Sequence, residues 1–191
     1  MSRPARTAEA RLDRIYMAFT GRQAILISVA VTALLTIVLN RIDTMMAGPN
    51  GMGVAYLQLS FSREYFETVI ASWGPGGVDI FLRTIWIDFL YPPAYAFLLS
   101  SAPAFFTAKK SGFSAESIVN ADRVFLVLPF AAALFDYTEN ILHIIILKKH
   151  LFNSWIIFAA SSAASIKWLL IIVCLGFFLK RYFEVRKEYR G

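Results

Sequence analysis

R-V-F-L-V-L-P-F-A-A-A-L-F-D-Y-T-E-N-I-L-H-I-I-I-L, residues 123–147, decides how this chain is built. Twelve apolar residues lead to Asp136-Tyr137-Thr138-Glu139-Asn140, and after His143 an apolar run resumes. Crossing a bilayer takes a helix of about 20 mostly apolar residues, so this stretch reads as a transmembrane helix. The spacing i, i+3, i+4 and i+7 sets Asp136, Glu139, Asn140 and His143 on one stripe of that helix. Each acid costs roughly 2.5–3.5 kcal/mol near the membrane centre on insertion scales. The stripe must therefore meet partners or water inside the protein.

Working outward, 152–179 reads as a following span with Lys167 in its middle, flanked by Ser161, Ser162 and Ser165. Ala160, Ala163 and Ala164 share the side of Lys167, and small residues let helices approach closely. Upstream, 78–101 reads as a span carrying Arg83, Asp88, Tyr91 and Tyr95, with Pro92-Pro93 predicting a kink just after Asp88. Before it, residues 62–73 form a short amphipathic helix, capped by Ser62 and stopped by Gly74-Pro75-Gly76-Gly77, too short to span and placed on the outer surface. Residues 24–40 make the first span; Thr32 and Thr36 are expected to bond their own backbone, and Asn40 stays open. Residues 7–20 read as an interfacial helix with arginines off its apolar face, and 106–122 as a loop.

The whole composition agrees with one all-α membrane domain over residues 1–191, a four-helix bundle with two surface helices. The chain is 58% apolar and 17% charged, with a mean hydropathy of +0.58. Its net charge of +6 is read as membrane topology, not as nucleic-acid binding. Four spans place both termini on one side, and that side carries thirteen of the lysines and arginines against five on the other. The expected arrangement is a multi-pass inner-membrane protein with cytoplasmic termini, and membrane lipids are its expected partners. The polar start is too long for a cleavable signal peptide, so the first span is taken as a retained anchor. Cys174 is alone in an apolar run and is expected to be a small core side chain.

Counting about 1.5 Å per residue from the outer span ends puts Asp88, Asp136, Glu139 and Lys167 roughly 12–20 Å deep. His143 and Arg83 lie shallower, and His143 is expected near the mouth. Three helices thus bring ionisable groups to one level. Asp88, Asp136 and Glu139 are the candidate acid–base residues. Asn140, Lys167, Tyr91, Tyr95, His143 and Arg83 are candidate binding residues, with Trp86 and Tyr137 as further aromatic walls. Lys167 can pair with either Asp88 or Asp136. No metal or cofactor is expected, because the donor spacing matches no metal signature and one bundle histidine is too few for haem. Three readings follow: a cavity that binds an amphiphile and acts on it by acid–base chemistry; a polar cluster that only fixes helix packing; and a small proton-linked transporter or channel subunit.

The W-G that ends the short helix, D-F-L-Y-P-P-A-Y-A at 88–96 and L-F-D-Y-T-E-N at 134–140 resemble a group of uncharacterised four-span bacterial membrane proteins. That resemblance covers about residues 55–145 and implies the fold alone. Asp88 ahead of Pro92, Pro93 and Tyr95-Ala96-Phe97 is also similar to the second span of EXPERA-type sterol isomerase and sigma-2 receptor proteins. This likeness implies an acid-lined amphiphile cavity. The D-Y-T-E-N run and Lys167 depart from that pattern.

Overall fold

A computed structural model describes residues 19, 21–47, 51–110 and 120–188. Among them every regular element is helical: α1 Arg22–Ala47, α2 Val54–Gln58, α3 Arg63–Asp88, α4 Tyr91–Lys110, α5 Asn120–Lys149 and α6 Ser154–Glu188. Three helices, Arg22–Ala47, Asp122–Lys149 and Ser154–Lys187, are long and apolar enough to cross a membrane. Their exposed surface is greasy, with Leu34 and Ile37 on α1, Leu134 on α5, and Trp155, Leu169 and Ile172 on α6 each more than half exposed. A water-soluble bundle would hide such side chains, whereas a bilayer accepts them. The interfacial helix expected at 7–20 lies almost wholly outside the described residues.

Packing is tightest between α5 and α6, which run antiparallel. Small buried residues, Ala132 and Ala133 on one helix and Ala160, Ala163 and Ala164 on the other, let the two backbones come close. Cys174 is buried in this region beside Tyr95 and Leu99, a core side chain as its setting predicts. Below it the Phe125 and Phe177 rings stack at 3.8 Å. At the same end Arg181 meets Asp122 at 2.7 Å and Glu184 at 2.8 Å, and Thr107 donates to Asp122 at 3.1 Å. That clamp ties α4, α5 and α6 together at the end away from α2.

Two breaks shape the rest. Ser62 caps α3, its hydroxyl accepting from the Tyr65 amide at 3.2 Å. The helix then bends at Gly74, whose φ of 68° and ψ of 179° are not helical. Phe66 and Phe81 would stand about 22 Å apart on a straight helix, yet both lie against the His143 ring, at 6.0 and 6.1 Å. The two arms of α3 therefore fold toward each other over α5. Phe66, Val69 and Trp73 of the first arm are buried against Ile146 and Ile157. A Gly74→Ala chain is expected to lose about 1–3 kcal/mol, because that backbone region is almost closed to residues with a Cβ. Thermal melts in detergent would check it, and an unchanged midpoint would mean that the bend can relocate.

The second break falls just after Asp88, where a kink is expected in 78–101, but it makes two helices of that stretch in place of one kinked helix. The chain leaves helix at Phe89 and Leu90 and restarts at Tyr91, so α3 and α4 are separate helices. Pro92 and Pro93 lack the amides that would meet the Asp88 and Phe89 carbonyls, and prolines fit the first turn of a new helix instead. The Tyr137 hydroxyl donates to the freed Phe89 carbonyl at 3.1 Å. The loop expected at 106–122 is also shorter: α4 continues to Lys110 and α5 begins at Asn120. The first helix likewise runs on to Ala47, beyond the expected 24–40.

Candidate functional site

The stripe on α5 is buried as the helical spacing predicts, and its members turn to three different neighbours. Asp136 and Glu139 face α6. Lys167 sits between them, its Nζ 2.6 Å from Glu139 Oε2 and 3.2 Å from Asp136 Oδ1. All three residues are at most 4% exposed. The Tyr95 hydroxyl of α4 donates to the other oxygen of Asp136 at 3.1 Å. Lys167 therefore pairs with Asp136 and Glu139 and not with Asp88, which answers the pairing left open between Asp88 and Asp136.

Asn140 faces α3. Its amide donates to Asp88 Oδ2 at 2.9 Å, and among the described residues no cation stands within ion-pairing distance of Asp88. Asp88 is the last residue of α3, placed there by the proline pair that ends the helix. Its position at a helix end gives the carboxylate room to face inward while Tyr91 and Tyr95 follow from the start of α4.

His143 corrects the expectation of a residue near the mouth. It is 1% exposed, enclosed by Phe66 and Phe81 of the two α3 arms, with Nδ1 3.8 Å from Glu139 Oε1. Among the described residues no group of three or more histidine, cysteine, aspartate or glutamate side chains is arranged to hold a metal ion. Arg83 is also corrected. It is exposed and takes no part in the cluster. Trp86 points outward, and Tyr137 is spent on the Phe89 carbonyl, so neither forms the expected wall.

A cavity of about 550 Å³ opens beside these groups. Asp88, Asp136, Tyr91, Tyr95 and Lys167 line it, whereas Glu139, Asn140 and His143 stand behind that wall. The remaining surface is mostly apolar, including Leu39, Phe81, Ile85, Leu98, Leu99 and Ile171. Thr36, on the α1 side, donates to its own backbone at Thr32 O as expected. It also lies in hydrogen-bond contact with the Tyr91 hydroxyl at 3.1 Å. Asn40 is at the exposed rim of the cavity.

Two contributors are missing from the sequence reading. Gln58 of α2 is buried at the cavity and accepts from the Trp168 indole at 3.2 Å. Asp43 of α1 accepts from the Val54 amide at 2.7 Å. The available signal was a glutamine ending a short apolar run, V-A-Y-L-Q. No family model, curated protein or solved structure matches the chain.

Proposed function

We propose that this protein holds an amphiphile inside the bilayer, with the polar head at Asp88 and the chain along the apolar walls of the cavity. The single observation that carries the reading is the cavity's lining, where Asp88, Asp136, Tyr91, Tyr95 and Lys167 gather at one wall and most of the rest is apolar, with Asp43, Asn40 and Gln58 at the roof and rim. Binding sites of several hundred cubic ångströms with few, convergent polar groups are the usual form of small-molecule pockets. Asp88, beside Asp136, Tyr91 and Tyr95 and held by the Asn140 amide, is the group placed to exchange a proton with a bound head, whereas Asp43 is tied into the roof through the Val54 amide.

The same reading includes four crossings. The second arm of α3 followed by α4 would supply the fourth; α4 has 20 residues, a length of about 30 Å. Both termini then share a side, and the excess of lysine and arginine there supports the cytoplasmic face of an inner membrane. On that orientation α2 and the first arm of α3 lie at the outer leaflet.

A packing role suits one half of the cluster. Lys167, Asp136 and Glu139 satisfy one another across α5 and α6 and would hold those helices in register. Asp88 is outside that triad, and the ligand reading rests on it. Protein extracted in a mild detergent and examined intact by native mass spectrometry is expected to carry about one amphiphile per chain. A preparation whose mass is that of the bare polypeptide under conditions that preserve the fold would sink the proposal.

A further inference from the structure

We infer that the cavity takes its occupant sideways from the bilayer, through the seam between α1 and α6 beneath α2, and that the occupant is a long-chain amine. The inference rests on the amphiphile reading above and adds a route and a head-group chemistry to it.

The route follows from what closes the cavity and what does not. Val54, Ala55 and Gln58 of α2 form its roof. The roof is tied to α1 through the Val54 amide and Asp43, and to α6 through Gln58 and Trp168. A third tie runs from the Trp73 indole of α3 to the Met52 carbonyl just before α2. Gly53 belongs to the same closure, because a side chain there would run into the Asp43 carboxylate. Along the sides the situation is different. Helix α1 packs on α3 and α4, and α6 packs on α5 and α4, but among the described residues no extended interface joins α1 to α6. Asn40 on α1 and Trp168 and Leu175 on α6 line the cavity and are exposed at the same time, which marks them as its rim. That rim lies on helices whose outward faces are hydrocarbon-compatible, so a chain can lie in the seam with its end among the lipids.

The head-group chemistry follows from which charges are already met. Lys167 is taken by two carboxylates, Asp136 and Glu139. Among the described residues Asp88 accepts from Asn140 alone. A head that donates N–H bonds and carries positive charge complements the Asp88 carboxylate, while a phosphate or carboxylate head would meet the lining acids Asp43, Asp88 and Asp136 against one committed lysine.

The test uses the full chain in phosphatidylcholine nanodiscs, with dodecylamine or dodecanoate dissolved in the lipid. Occupancy is read by native mass spectrometry, and exchange by the replacement of deuterated with ordinary dodecylamine. Dodecylamine is expected to occupy the protein at least about tenfold better than dodecanoate. Leu175→Trp, which fills the rim without touching the acids, is expected to slow exchange about tenfold or more. Leu175→Phe gives a milder slowing, should the larger ring disturb folding. Trp73→Phe, which removes the indole tie to the Met52 carbonyl at the roof and lies off the cavity lining, is expected to leave the exchange rate within about twofold. If the Leu175 variants do not slow exchange the lateral route is wrong, and faster exchange in Trp73→Phe would assign the passage to the roof. Equal occupancy by dodecanoate overturns the amine assignment. Binding of neither probe to a folded protein overturns the cavity reading itself, a result distinct from a wrong route.

Discussion

Replacing Lys167 by methionine is expected to destabilise the protein by about 3–5 kcal/mol, the range seen when one partner of a buried ion pair is removed. The side chain is 3% exposed and its ammonium contacts Asp136 and Glu139, which are 4% and 0% exposed. Methionine keeps most of the volume, so the loss is electrostatic and not a cavity effect. Two carboxylates would be left facing each other in a water-poor interior, with the Tyr95 hydroxyl as the remaining donor to Asp136. The sign can be verified by compensation. In a Lys167→Met, Asp136→Asn, Glu139→Gln triple variant most of the stability should return, because no unpaired charge is buried. Unfolding titrations with denaturing detergent, monitored by circular dichroism, would measure both. Wild-type stability in the single variant would mean that the triad contributes no ion pairing and that the α5–α6 contact rests on its alanines alone.

The α5 stripe shows how far residues alone carry such a site. Helical periodicity is local, so it was enough to group Asp136, Glu139, Asn140 and His143, and axial counting was enough to bring Asp88 and Lys167 to their level. Azimuth is what neither supplies. Arg83 shares a helix with Asp88, but five positions turn it about 140° away, and the structure leaves it exposed. That error was avoidable from the helix geometry. The choice of Lys167 between acids was not, because it depends on how α6 is rotated against α5, which is set by the fit of Ala132, Ala133, Ala160, Ala163 and Ala164.

Breakers were legible in position more than in consequence. Gly74 stops helical geometry where the G-P-G-G run predicts. The prolines at 92 and 93 announce a disturbance, but a kink and a restart differ in whether the freed carbonyls find donors. Tyr137, 48 positions from Phe89, supplies one of them. His143 was misplaced for the same non-local reason: depth puts it near an end, and the folded-back arm of α3 covers that end. Gln58 and Asp43 belong to a roof that exists only once α1, α2 and α6 are assembled.

The division between the triad and Asp88 leads to the second large effect. Asp88→Asn is expected to lower amphiphile occupancy about ten- to a hundredfold, while unfolding free energy changes by less than about 1 kcal/mol. The side chains are isosteric, and an amide oxygen at position 88 still accepts from Asn140, so the α3–α5 contact survives. What disappears is the charge that Asp88 presents to the cavity beside Tyr91 and Tyr95. A hydrogen bond to a charged group contributes about 1.5–3 kcal/mol, and that loss sets the range of the predicted fall in occupancy. Glu139→Gln provides the contrast. Glu139 stands behind the cavity wall and holds Lys167, so its replacement should weaken the fold and leave retention by the folded fraction close to normal. Native mass spectrometry of the two variants, beside their detergent unfolding curves, separates the roles. An Asp88→Asn protein that keeps its amphiphile at the wild-type level would remove Asp88 from the site. A variant that fails to fold would instead make Asp88 a packing residue, and the whole polar cluster a device for assembling the helices.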